Sequence, residues 1–101
     1  MLKEYSGGEI LGNAVVRFTA SWCVPCKAFQ PVFDGVGAGT DVPFYAIDIE
    51  DYMDFAREHK VQSIPAVFTV ERGEWTRFTG TPSAQQLAEA AAALDKPVEN
   101  W

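Results

Sequence analysis

Ala14-Val15-Val16-Arg17-Phe18-Thr19-Ala20-Ser21-Trp22-Cys23-Val24-Pro25-Cys26-Lys27 is the stretch that decides how this chain folds. Its first half is apolar and β-branched, the composition of a strand. Its second half carries the protein's two cysteines, with two residues between them. Beyond them Phe29, Val32, Phe33 and Val36 follow helical spacing, which predicts an amphipathic helix from Cys26 to about Val36. Pro31 falls inside it and predicts a kink, and Gly35 and Gly37 are expected to end it. Two thiols at this spacing, at the start of a helix, can close a small disulfide ring and open it again. That is the chemistry of a dithiol electron carrier.

The other elements follow outward from this segment. Val42 to Ile49 reads as a mostly apolar, central strand. Asp51 is the expected N-cap of a short helix that buries Tyr52, Phe55 and Ala56, with His59 and Lys60 in its last turn. Ala66 to Val70 and Trp75 to Thr79 read as a hairpin around Gly73. Thr81-Pro82-Ser83 opens a last helix with Leu87, Ala90, Ala91 and Leu94 on its buried stripe, and Pro97 stops it. The order strand, helix, strand, helix, strand, strand, helix predicts an α/β fold in one domain over residues 1–101. Its central sheet is mixed, with helices on both faces.

Composition narrows the function. Of 101 residues, 48% are hydrophobic and 22% charged, the balance of a soluble globular domain. No apolar run reaches the roughly 18 residues of a membrane helix, and the first residues carry no apolar signal core. No membrane association is expected, and a cytoplasmic location is. Fourteen acidic and eight basic residues give a net charge of −6, which disfavours nucleic acid as a partner. Structural zinc takes four Cys or His ligands, and here only Cys23, Cys26 and His59 are present, so no metal is expected. Haem attachment needs His after the second cysteine, where Lys27 stands. A staple across two residues would remove little chain entropy. The redox reading survives these exclusions.

The segment Phe18 to Lys27 resembles the active-site segment of the thioredoxin family, with Val24 where that family usually carries Gly. Ile64-Pro65 stands where the family has its cis-proline loop, Pro31 matches its helix-kinking proline, and Gly73 and Gly80 match two of its glycines. The likeness runs from about Ala14 to Leu94 and implies a thioredoxin fold with a shortened N-terminal region, its first strand and helix reduced.

The resemblance implies a role for each site residue. Cys23 is the expected nucleophile, activated by the helix N-terminus, and Cys26 the resolving thiol. Trp22, Val24, Pro25, Ile64, Pro65 and Gly80 are expected to line the groove for an extended substrate strand, with Pro65 cis. Trp22 reads equally as a core residue. Lys27 reads as an aid to the thiolate or as a solvated helix residue. Arg17 is the main departure: the family usually buries Asp there to move protons at Cys26, and the Lys that pairs with it corresponds to Ala46. Arg17 either snorkels to water from a strand end or supplies a cation that favours the thiolate.

The function so implied is a monomeric protein-disulfide reductase without a bound cofactor beyond its own Cys23–Cys26 disulfide. A thioredoxin reductase-type flavoenzyme would recharge it, and disulfide-containing proteins such as ribonucleotide reductase would be its substrates. The alternatives are a more oxidising oxidase or isomerase of the same fold, and a binding module whose cysteines are incidental.

Overall fold

The computed structural model describes residues 1–95. Its elements are β1 (Leu2–Glu4), β2 (Ala14–Thr19), α1 (Val24–Gly37), β3 (Phe44–Asp48), α2 (Met53–Glu58), β4 (Ala66–Glu71), β5 (Glu74–Arg77) and α3 (Ala84–Leu94). They form a five-stranded mixed sheet in the order β1-β3-β2-β4-β5. β3 runs parallel to both β1 and β2, whereas β4 is antiparallel to β2 and β5 to β4. This is the fold that the element order predicted. The expected stop at Pro97 lies outside the described residues.

The sheet carries a core on each face. On one face Val15, Val67 and Phe44 pack with Phe29 and Phe33 of α1 and Leu87, Ala91 and Leu94 of α3. On the other, Val16, Phe18, Ile47, Phe68 and Val70 pack with Ala56 and Phe55 of α2 and with Tyr5. The alternation of residues 15 to 18 between these cores is the period of two of a strand covered on both sides. Phe33 is 1% exposed, and its truncation to Ala is worth about 3–5 kcal/mol at such a site. His59 sits on the second core, its ring stacked on Trp75 with centroids 3.7 Å apart. Burial there holds its pKa below the usual histidine value, opposed by nearby Glu58.

Several boundaries differ from the sequence reading, each for a physical reason. α1 begins at Val24, because the Cys23 side chain caps it and Pro25 suits its first turn. It buries Cys26, Phe29, Phe33 and Gly37, leaving Val32 37% exposed. It also runs through Gly35 and ends on Gly37, the second of the two glycines expected to stop it. Gly37 serves packing: a Cβ there would lie 2.7 Å from Leu2 and 2.8 Å from the Phe44 ring. Asp51 does not cap α2. Tyr52 occupies that position without a side-chain cap, and the preceding turn is held by the Glu50 N–H donating to Asp48 Oδ1 at 2.7 Å.

The hairpin turns through Arg72 and Gly73, both at positive φ (52° and 83°), so β5 starts and stops earlier than expected. Ser83 caps α3, in a capping box with Gln86, so Pro82 stands just before the helix and not at its first position. Ala90 is only half-buried. At the N-terminus a three-residue strand is present, and no helix lies between it and β2.

Candidate active site

The site forms where β2 ends. β3 lies beside β2 on one side and β4 on the other, so this is where the strand order switches direction, the usual place for a site in an open α/β sheet. The chain leaves β2 through Ala20, whose carbonyl accepts the Cys23 N–H at 3.1 Å, and turns into α1. Cys23 is the N-cap, with extended backbone (φ −87°, ψ 104°), and its Sγ accepts the Cys26 N–H at 3.2 Å. A sulfur at this point receives both a backbone hydrogen bond and the positive end of the helix dipole. Both effects favour a thiolate over a thiol.

Cys23 and Cys26 are joined as a disulfide, with Cα atoms 5.2 Å apart. Their packing partners are Ala20, Ile49 and Ile64. Cys26 is fully buried and Cys23 is 4% exposed, so little of either cysteine meets solvent in the disulfide form. The second wall is the loop between α2 and β4. The Ile64–Pro65 peptide is cis, and the Ile64 carbonyl oxygen lies 3.9 Å from Cys23 Sγ. The backbone before Pro65 therefore sits beside the sulfur that would react.

A family model for thioredoxin matches residues 9–93. The chain belongs to the thioredoxin family. It is 34% identical over 91 residues to an H-type thioredoxin of Fagopyrum esculentum, covering 88% of this chain and 76% of that protein. It is 39% identical over 61 residues to thioredoxin H3 of Arabidopsis thaliana, covering 59% of this chain and 52% of the relative. The chain spans about half the length, 44–56%, of the curated relatives it matches first. Among solved structures, thioredoxin NaTrxh of Nicotiana alata superimposes with a TM-score of 0.78 at 25% identity, over 94% of this chain and 93% of that one.

The thioredoxin-like surface around the disulfide is apolar. Trp22 is 62% exposed and Val24 73% exposed, on either side of the buried Cys23. Trp22 is thus not a core residue. Pro25 and Lys27 are exposed, and Ile64 and Pro65 are half-buried. Gly80 is exposed at φ 72° with nothing within 4 Å of a built Cβ, so the space beside it is open. Ile49, just past the end of β3, also reaches the cysteines, and reading it only as a strand residue missed that role.

Arg17 does not snorkel. It lies in the middle of β2, 5% exposed, with its guanidinium 5.3 Å from the centre of the Phe33 ring. Its Nε has no hydrogen-bond partner among the described residues. Burial pushes its pKa below the usual guanidinium value, and nearby Asp34 opposes the shift. Ala46, at the position of the family's paired Lys, is the direct cross-strand neighbour of Arg17 and is exposed. Phe33 is two turns further along α1 than Cys26, so the charge acts on the thiols only from a distance.

Proposed function

We propose that this chain is a thiol–disulfide oxidoreductase that reduces protein disulfides by cycling Cys23 and Cys26 between dithiol and disulfide. The observation that carries this reading is the Cys26 N–H donated to Cys23 Sγ at 3.2 Å, beside the Ile64 carbonyl at 3.9 Å. The Cys23 thiolate attacks one sulfur of a substrate disulfide. The substrate S–S bond breaks, one substrate sulfur leaves as a thiolate and takes a proton, and a mixed disulfide remains. Cys26 then loses its proton and attacks Cys23 Sγ, releasing the second substrate thiolate. Two electrons have passed to the substrate, and the chain holds the Cys23–Cys26 disulfide.

An extended substrate strand pairs with the backbone at Ile64, and Trp22, Val24, Pro25, Pro65 and Gly80 flank it. A thioredoxin reductase-type flavoenzyme restores the dithiol, ribonucleotide reductase is a fitting acceptor, and the protein works as a cytoplasmic monomer. The Arg17 cation, only partly offset by Asp34, favours a second reading within the same chemistry, a more oxidising oxidase or isomerase, because a cation stabilises the reduced thiolate form.

The test is turbidity-monitored reduction of insulin by dithiothreitol with the wild-type chain and two variants. The wild type should accelerate precipitation, Cys23→Ser should abolish the effect, and Cys26→Ser should accumulate mixed disulfides. Alkylation of the reduced protein near neutral pH should label Cys23 first. Absence of insulin reduction with an intact, reducible disulfide would leave only a binding module.

A further inference from the structure

We propose that Arg77 is a positioning residue for the substrate-docking loop, a role that rests on the reductase reading above. Arg77 lies at the end of β5, directly opposite Phe68 of β4. Its guanidinium packs over the Phe68 ring, 5.8 Å from the centroid, and so lies along the sheet surface toward the loop that precedes β4. There a single nitrogen, Nη2, donates to both acceptors of one residue: the Ser63 carbonyl oxygen at 3.4 Å and the Ser63 Oγ at 3.2 Å. Ser63 is the residue immediately before Ile64-Pro65.

The loop needs such a tether. Among the described residues, Gln62, Ser63 and Ile64 make no backbone–backbone hydrogen bond. The nearest backbone ties lie upstream, where the N–H of Lys60 donates to Arg57 O and that of Val61 to Ala56 O, both at 3.0 Å. Between these ties and β4 the chain must present the Ile64 backbone at a fixed distance from Cys23 Sγ. Arg77 fixes it by holding the preceding residue through backbone and side chain together, and the Phe68 ring limits where the guanidinium can go. The guanidinium faces Ser63, two residues short of Pro65, so it acts on the substrate only through the loop it holds.

The consequence is selective. A protein or peptide disulfide docks by pairing its extended backbone with the loop, so its binding depends on where Ile64 sits. A small aromatic disulfide has no backbone to pair and needs only the sulfur of Cys23. Arg77→Met should therefore raise KM for insulin about threefold, the scale of a charge-assisted hydrogen bond at an exposed site, with kcat unchanged. The rate with 5,5′-dithiobis(2-nitrobenzoate) should stay at the wild-type value. Arg77→Lys, which can offer one nitrogen to both acceptors, should restore most of the KM.

Ser63→Ala should raise KM in the same direction, and the double variant should be no worse than Arg77→Met alone, because both remove the same contact. Arg57→Met, which removes a cation from an exposed site on α2, should change neither rate. Three results would overturn the assignment. Additive effects of Arg77→Met and Ser63→Ala would mean that Arg77 meets the substrate itself. Equal losses with both disulfides, together with a lower melting temperature, would mean a merely structural residue. An unchanged insulin KM in Arg77→Met would mean that the loop needs no clamp. If the wild type fails to reduce insulin while its disulfide cycles, the reductase reading fails first and this role falls with it.

Discussion

Replacing Arg17 with Met removes the buried cation and keeps an unbranched stem against Phe33. The structure sets how far its charge acts. Arg17 packs on Phe33, which is seven residues after Cys26 on the same helix, about 10 Å along the axis at 1.5 Å per residue. At an effective dielectric of about 20, unit charges about 10 Å apart interact by about 1.7 kcal/mol. For a two-electron couple that corresponds to about 35 mV. Asp34 offsets part of the charge, so a shift of about 10–30 mV is expected. The sign follows from the state that carries the thiolate. A cation stabilises the reduced form, so its removal lowers the potential and makes Arg17→Met the stronger reductant.

The assay is equilibration with glutathione buffers of graded ratio, reading the dithiol fraction by alkylation. A potential that is unchanged or higher would refute the argument. Denaturant unfolding of the oxidised variant is the control. Loss of the cation–π contact costs about 1 kcal/mol, and relief of the buried Nε that lacks a hydrogen-bond partner among the described residues offsets it. A midpoint that is level or higher is expected. A loss above about 2 kcal/mol would mean that the guanidinium is held by partners and that the distance used here is wrong.

Two further outcomes test the fold around the site. His59 is held below its usual pKa, so the unfolded chain binds more protons than the folded one as pH drops through about 6.5. Its contribution is present above that value and is lost as pH falls toward the folded pKa. The melting temperature should fall between pH 7 and pH 5, and His59→Gln should flatten that slope. Gly37→Ala should destabilise by about 1–3 kcal/mol in urea unfolding, because the new Cβ meets the buried Phe44 ring. An unchanged midpoint would mean that β1 and β3 can retreat without cost.

What the sequence made legible was local. The β-branched run 14–19, the helical spacing of Phe29 and Phe33, and the glycine of the hairpin each act within a few residues. The cysteine pair is of the same kind: the bond from the Cys26 N–H to Cys23 Sγ spans three positions and follows from capping alone. β1 was foreseen only through the family resemblance, as a reduced strand, because its three residues are all exposed and show no alternation. It is held by pairing with Phe44 to Ala46 and by the terminal amine, which donates to the Thr40 and Val42 carbonyls. The clamp from Arg77 to Ser63 joins positions 14 residues apart on different elements, and no spacing rule reaches it. Arg17 misled for a related reason. A charge in a strand reads as a strand end, yet this strand is covered on both faces and keeps the guanidinium inside.

The row across the sheet shows what that substitution does to proton traffic. Register aligns Glu4, Ala46, Arg17 and Val67 side by side on β1, β3, β2 and β4. The one residue of this row that can accept a proton, Glu4, stands two strands away from Arg17 and exposed. Cys26 must shed a proton before it can attack Cys23, but Ala20, Ile49 and Ile64 cannot accept one. Arg17 is a cation and cannot serve as a base. Its field, however, favours the Cys26 thiolate once the proton is gone. The thiolate that leaves the substrate in the first step is formed beside Cys23 and is a base of matching strength. Under the proposed reductase reading, resolution therefore passes the Cys26 proton to the departing substrate sulfur, and the Arg17 field favours the thiolate left behind.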